Sequence, residues 1–133
     1  MIPGIGIVQI NVTDLETARR FYEDIIGFEP LGGDNQALCY KLKGETVLLL
    51  YKVDMTAENH YPNGTGVVPV FYVENIDRFY TGLNDKQVDL IKVPWSKESS
   101  GIGPCPFGRF IGVRDPFGNV FEILQPWPEK QKD

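Results

Sequence analysis

The sequence predicts an α+β fold built from two similar βαβββ modules, because the same order of elements occurs twice within its 133 residues. A β-branched, strand-like segment begins at Ile5 and another at Val67, and an amphipathic helical pattern follows each of them. Short matches lie at equivalent places: Val12-Thr13-Asp14-Leu15 parallels Val73-Glu74-Asn75-Ile76, and Arg20-Phe21-Tyr22 parallels Arg78-Phe79-Tyr80. Duplication explains these matches better than chance, and half-size modules bury enough surface only when they share one domain, here residues 1–133.

The first module is predicted over residues 4–53. Its first strand ends at Val12, and Thr13 with Glu16 forms a capping box for a helix that stops at Gly27. One face of this helix carries the apolar residues Leu15, Ala18, Phe21, Tyr22, Ile25 and Ile26. Three further strands are expected around Phe28–Leu31, Ala37–Leu42 and Thr46–Lys52.

The second module is predicted over residues 67–126, after a polar, turn-rich linker at 54–66. Its strand Val67–Val73 leads to a helix that Asn75 or Glu74 can cap. Strands are then expected at Val88–Val93, Arg109–Arg114 and Asn119–Leu124. Between them lies a long loop, 96–108, rich in glycine, serine and proline.

Composition restricts the classes of function. A formal net charge of −5 argues weakly against nucleic-acid binding, which requires a basic face; an acidic surface suits a cationic ligand, although solubility explains it equally well. No apolar run is long enough to cross a membrane and no signal peptide is recognisable, so we expect a cytoplasmic protein. Cys39 and Cys105 have no metal-binding spacing and are interpreted as reduced thiols.

The alternation of side chains along the strands predicts which face borders a cavity. Val8, Ile10 and Val12 point to one side, beneath the helix, whereas Gln9 and Asn11 point to the other. On an inner strand these polar residues indicate a wet cavity; on an edge strand they would simply face solvent. In the second module, Tyr72 and Glu122 take the cavity side. A curved, cup-shaped mixed sheet is therefore expected, with Gln9, Asn11, Tyr72 and Glu122 on its concave side and the helices outside.

Three stretches of the chain resemble the vicinal-oxygen-chelate superfamily of glyoxalases, bleomycin-resistance proteins and ring-cleaving dioxygenases. The first runs from Val12 through the helix to Phe28, the second comprises Val67–Val73 with Asn75-Ile76-Asp77, and the third is Asp115-Pro116-Phe117-Gly118-Asn119-Val120-Phe121-Glu122. The resemblance covers nearly the whole chain and implies the paired-module fold. The third stretch also has tight-turn chemistry of its own, which requires no activity.

The resemblance implies four metal-ligand positions, one on each of four strands, and this chain departs from that pattern. The two positions that usually carry histidine or glutamine correspond to Ile7 and Val68, and the fourth strand reads Val47-Leu48-Leu49-Leu50. Glu122 alone matches a ligand, and the single histidine, His60, lies in the linker. One carboxylate cannot hold a divalent metal, so no metal and no cofactor are expected.

Glu122 has two interpretations at this point. It is either a partly buried acid hydrogen-bonded to Gln9 or a tyrosine, or a functional group that anchors a cationic ligand or acts as a catalytic base. Aromatic residues near the long loop, namely Trp95, Phe107 and Phe110, are predicted to stack on a planar ligand, with the loop as a lid; Trp95 could equally plug the edge of the core.

These expectations favour a metal-free protein that binds a small, partly apolar or cationic molecule, in the manner of drug sequestration. The predicted ligand contacts are Gln9, Asn11, Tyr72, Trp95, Phe107, Phe110 and Glu122. The alternative is a glyoxalase-family lyase or isomerase that uses Glu122 as its catalytic residue, without a metal or with unusual ligands. A third possibility is a structural or partner-binding domain. The resemblance also implies a homodimer.

Overall fold

The computed structural model describes residues 1–128 and divides the chain into two compact units. The first unit contains residues 1–60 together with Asp115–Asn119, and the second contains residues 61–114 and the chain from Val120 onward. Both units combine mixed β-sheet with helix, so the predicted α+β fold class is confirmed. The module limits of 4–53, 54–66 and 67–126 stay a prediction.

The first unit is a four-stranded sheet with one long helical segment. Its elements are β1 (Ile7–Val12), α1 (Leu15–Arg19), a π-helical continuation of α1 (Arg20–Ile26), β2 (Glu29–Gly33), β3 (Ala37–Lys41) and β4 (Val47–Lys52). The strand order is β1-β4-β3-β2, with β1 parallel to β4 and the other pairs antiparallel. The βαβββ order predicted for this half is therefore present.

Helix α1 begins one residue later than the sequence suggested. The predicted cap, Thr13, is wrong: the carboxylate of Asp14 accepts the backbone N–H of Thr17 at 2.9 Å and its hydroxyl at 2.6 Å. Aspartate serves as well as threonine in this role, so the hydrogen bonds rather than residue type decide the cap. The helical segment stops at Gly27 as predicted, because this glycine takes the left-handed conformation with φ of 96°.

The second unit is a sheet of five strands with one helix. Its elements are β5 (Val70–Tyr72), α2 (Ile76–Asp85), β6 (Asp89–Ile91), β7 (Gly103–Cys105), β8 (Gly108–Arg114) and β9 (Val120–Pro126). The order is β5-β9-β8-β6, with β7 paired to β8 and with β5 parallel to β9. Asn75 caps α2 as predicted by accepting the backbone N–H of Arg78. Strand β7 was not predicted, since its glycine, proline and cysteine have poor strand propensity.

The face assignment from strand alternation is confirmed on β1, with one exception in its place in the sheet. Ile10 and Val12 on β1 are buried, whereas on β9 burial does not separate the two faces, because Val120 and Leu124 are buried as well as Phe121 and Ile123. The exception concerns β1, which was expected to be an inner strand. It lies at the edge of its sheet, because β4 pairs with it on one side only. Gln9 and Asn11 are correspondingly exposed.

The turn between β8 and β9 belongs to the first unit and is fixed there by buried hydrogen bonds. Asp115 is only 4% exposed and accepts the Tyr22 hydroxyl at 2.6 Å. It also accepts two backbone N–H groups of the turn, from Phe117 and Asn119. The Asn119 side-chain amide bonds both Asp115 and the carbonyl of Asn11. The Asp-Pro-Phe-Gly-Asn motif is thus a structural anchor as well as a turn.

Among residues 1–128, no helix is long and apolar enough to cross a membrane.

Candidate functional site

One face of the second sheet brings together several of the predicted site residues. The strand register places Glu122 between Val70 on β5 and Gly112 on β8, and it places Leu124 between Tyr72 and Phe110. Residues paired in this way point to the same side of a sheet, as do residues two apart on one strand. We call this side the Glu122 face; its members are Val70, Tyr72, Asp89, Ile91, Phe110, Gly112, Arg114, Val120, Glu122 and Leu124.

Glu122 has the apolar residues Val70, Gly112 and Leu124 as its nearest neighbours on this face. The same face also carries Arg114 and Asp89, which form an ion pair with each other at 3.6 Å. The Glu122 carboxylate is partly buried and accepts a hydrogen bond from the Tyr61 hydroxyl at 2.6 Å. Of the two partners predicted for Glu122, the tyrosine is therefore correct, whereas Gln9 donates instead to Asn11 at 2.9 Å. A carboxylate in such surroundings needs a donor, because burying an unpaired charge is costly.

Tyr61 is a site residue that the sequence reasoning missed. It lies at the start of a turn in the segment between β4 and β5, which was interpreted as a linker. Its ring reaches over β8: a Cβ atom on Gly112 would lie 2.9 Å from Tyr61 Cε1. Burial, followed by the bond to Glu122 and the charge of Glu122, raises the pKa of Tyr61 well above its usual value. The glycine inside the strand was an available signal, since it marks close approach by another group.

The predicted aromatic residues fall at different depths. Phe110 is buried and packs with Val93 and Leu124, whereas Trp95 is 57% exposed with its ring 6.0 Å from that of Phe110. The indole N–H of Trp95 donates to the Pro104 carbonyl at 2.7 Å. Trp95 therefore borders the Phe110 end of the Glu122 face without filling the core. Phe107, in the turn between β7 and β8, is 74% exposed.

The loop expected to act as a lid is tied to the rest of the second unit. Arg109 on β8 forms paired hydrogen bonds with Glu98 in this loop and with Asp77 on α2. These bonds hold the pKa of Asp77 below its usual value. The Ser96 hydroxyl also donates to the Ile102 carbonyl at 2.5 Å. Residues 96–108 thus form a folded segment with its own strand, and Arg109 is an ion-pair partner in it.

The residues at the expected metal-ligand positions do not fit a divalent ion. Ile7 is 59% exposed and apolar, and Val68 precedes β5 with no donor atom in its side chain. His60 is exposed and lies 3.4 Å from Glu58. Within residues 1–128, no three side chains of the histidine, cysteine, aspartate and glutamate types come together in a way that could hold a metal. The residues at the expected ligand positions in the described chain therefore do not form the donor set that the family pattern requires.

A groove of about 270 Å³ in the first unit is a less suitable site. It lies between the helical segment and the β2–β3 hairpin, and its polar groups are already engaged. The Tyr40 hydroxyl donates to Glu23, Arg19 pairs with Glu16, and Asp34 accepts backbone N–H groups of its own turn. Burial, together with the neighbouring Glu23, raises the pKa of Tyr40 to about 12. These contacts stabilise the unit and leave no group aimed at a ligand.

Gln9 and Asn11 lie in the first unit, whereas the Glu122 face lies in the second. Their predicted role as ligand contacts, like that of Phe107, stays a prediction. Cys39 and Cys105 are free thiols, each half-buried, as expected.

Comparison with known proteins identifies the family. Residues 4–123 match the family model described as the Glyoxalase/Bleomycin resistance protein/Dioxygenase superfamily. The protein YetH of Bacillus subtilis (strain 168), itself uncharacterized, is 28% identical over 131 residues, which cover 94% of this chain and all of YetH.

Two solved structures share the fold. One is a glyoxalase family protein from Bacillus anthracis, with a TM-score of 0.73 and 24% identity, covering 96% of this chain and 98% of that one. The other is TnmS3, an antibiotic binding protein from Streptomyces sp. CB03234, with a TM-score of 0.68 and 24% identity, covering 95% and 98%. The family match spans most of the sequence and agrees with the observed mixed sheets. The chain therefore belongs to the glyoxalase/bleomycin-resistance/dioxygenase superfamily.

Proposed function

We propose that this protein binds a small, partly apolar cation on the Glu122 face without using a metal, as a sequestering protein does. The observation that carries the proposal is the Glu122 carboxylate, which is partly buried on a strand whose same-side neighbours are Val70, Gly112 and Leu124. A fixed carboxylate whose nearest neighbours are apolar favours a ligand that pairs one positive charge with an apolar body, and the Arg114 guanidinium on the same face is already paired with Asp89.

The aromatic residues beside this face supply the second half of the proposed recognition. Phe110 and the half-exposed Trp95 lie at one end, and the largely exposed Tyr72 lies beside Leu124 on the other side. A planar cationic ligand can place its charge on Glu122 and its ring against these side chains. The antibiotic-binding description of TnmS3, a protein of the same fold, agrees with this mode of action.

Calorimetric titration with naphthylmethylammonium and with the neutral naphthylmethanol tests the proposal. The protein, dialysed against chelator, is expected to prefer the cation. The variant Glu122→Gln should lower cation affinity by about tenfold, because it removes a charge-assisted hydrogen bond, and should leave the neutral probe unaffected. Glu58→Gln, at a solvent-exposed carboxylate that pairs with His60, is the matched control.

Two results would contradict the proposal. One is equal affinity for both probes, or no binding of either, in the wild-type protein. The other is a stoichiometric zinc, nickel, manganese or iron content by elemental analysis of protein purified without chelator. The second result would favour a metal-dependent lyase or isomerase with unusual ligands.

We also propose that the protein acts in the cytoplasm as a homodimer. Light scattering coupled to size-exclusion chromatography tests the oligomeric state, and a monomeric mass at micromolar concentration would contradict it.

A further inference from the structure

We propose that the Tyr61 side chain occupies the ligand position on the Glu122 face and is displaced when a ligand binds. A ligand then binds only when its own hydrogen-bond donor replaces the Tyr61 hydroxyl on Glu122. This inference rests on the proposed function, because it concerns the same carboxylate. It goes beyond that function by naming the residue that determines which ligands bind. These are ligands, such as a protonated amine, whose hydrogen bond to a carboxylate is stronger than that of a phenol.

The position of the Tyr61 ring is the first support. The ring lies over Gly112, and its hydroxyl reaches Glu122, the direct cross-strand neighbour of that glycine. Phe110 lies two residues before Gly112 on the same side of the same strand. A ligand that spans from Glu122 to Phe110 over β8 therefore occupies the position that Tyr61 fills.

The chain segment that carries Tyr61 is the second support, because displacing this side chain breaks no helix or long strand. The residue comes from a stretch between β4 and β5 that forms neither a helix nor a long strand. Its carbonyl lies 3.5 Å from the Arg114 guanidinium, which in turn pairs with Asp89 on the neighbouring strand. The Tyr61 carbonyl is thereby held near the end of β8, while rotation about the side-chain torsions can carry the ring away from Gly112.

The chemistry of Glu122 is the third support. Without a ligand, a carboxylate with apolar neighbours requires a donor, and Tyr61 supplies one. An ammonium group is a charge-assisted donor and forms a stronger bond to the carboxylate than a neutral phenol does. Exchange is therefore favourable for a cation and unfavourable for a neutral alcohol. Tyr61 thus lowers the affinity of every ligand that must displace it, and a charge-assisted donor recovers that cost whereas a neutral alcohol does not.

The test compares the affinity of naphthylmethylammonium for three tyrosine or glycine variants with that for the wild type. Tyr61→Phe keeps the ring but removes the competing hydroxyl, and it should raise cation affinity by about tenfold or more. Gly112→Ala keeps the hydroxyl and pushes the ring away, since its new Cβ would meet Tyr61 Cε1, and it should give a smaller gain. Tyr40→Phe removes the other tyrosine–glutamate bond, in the first unit, and should have no effect.

The outcomes separate this inference from the proposed function. If the wild-type protein binds the cation through Glu122 but Tyr61→Phe binds it equally or more weakly, Tyr61 is a co-ligand or a structural residue and the inference is wrong. If neither the wild type nor Tyr61→Phe binds the cation, the proposed function itself fails. A gain in Tyr61→Phe that is lost again when Glu122→Gln is added supports both.

Discussion

Two tyrosine–carboxylate pairs with the same 2.6 Å hydrogen bond have contrasting surroundings in this protein. In the first unit, Tyr22 donates to Asp115, and both residues are buried. In the second unit, Tyr61 donates to Glu122, and both are only partly buried. The first pair links the β8–β9 turn to the helix, whereas the second lies on the Glu122 face of the second sheet.

The two carboxylates differ in the number of hydrogen bonds that they accept. This number distinguishes a structural carboxylate from one that is suited to binding a ligand. Asp115 accepts four hydrogen bonds, from Tyr22, Phe117 and twice from Asn119, so its carboxylate is saturated. Burial raises the pKa of Asp115, and the four bonds act against that increase. Within residues 1–128, the Glu122 carboxylate accepts a side-chain hydrogen bond from the Tyr61 hydroxyl. An acceptor with remaining lone pairs, in partly apolar surroundings, is suited to an incoming donor.

Replacing the two carboxylates should produce the largest difference. Asp115→Ala leaves several buried donors without an acceptor and should lower the free energy of unfolding by about 3 kcal/mol or more. Glu122→Ala leaves only a half-buried phenol without its acceptor, so its cost should be about 1 kcal/mol. Urea unfolding of both variants measures the difference. Equal losses would mean that the two pairs play the same structural role.

Removing the two hydroxyls should produce a smaller difference in the same direction. Tyr22→Phe removes one of the four bonds to a buried carboxylate and should cost about 1.5 kcal/mol. Tyr61→Phe should cost roughly 0.5 kcal/mol, because water can reach Glu122 in its place. Thermal unfolding of these isosteric variants provides the check; a greater loss for Tyr61→Phe would contradict the anchor assignment of Tyr22.

The smallest expected effect concerns alkaline pH. The pKa values of Tyr22, Tyr40 and Tyr61 are all raised above 10.0, in each case chiefly by burial. Below pH 10.0 these phenols are neutral in both the folded and the unfolded states, so their contribution to stability is fully present. As the pH rises further, the unfolded chain loses protons that the folded protein keeps, and stability falls.

Unfolding free energies at about pH 8 and about pH 11 should therefore differ less in Tyr22→Phe and Tyr61→Phe than in the wild type. A pH titration followed by tyrosinate absorbance should show fewer tyrosines that ionise above pH 10 in each variant than in the wild type. An unchanged alkaline loss in both variants would show that neither hydroxyl is coupled to folding.

The fold was largely predictable from the sequence, because alternation and capping signals are local. Gly27 marks the end of the first helical segment and Asn75 the start of the second, as the sequence predicts, and the alternation along β1 places Ile10 and Val12 on the buried side. Strand β7 was missed, since its stability comes from pairing with β8 rather than from its own composition.

The candidate site was only partly predictable. Glu122 could be placed by its position on the last strand, but Tyr61 is 61 residues away from it and comes from a segment without periodic structure. Only the tertiary fold brings them together. The edge position of β1 was missed for the same reason, because strand order depends on pairings between distant segments.

The most direct test of the account is an experimental structure of the protein with naphthylmethylammonium bound. The account predicts the ammonium nitrogen within hydrogen-bonding distance of the Glu122 carboxylate, with the Tyr61 ring moved away from Gly112 and the Tyr22–Asp115 bond unchanged. A bound probe elsewhere, with the Tyr61–Glu122 hydrogen bond intact, would contradict it.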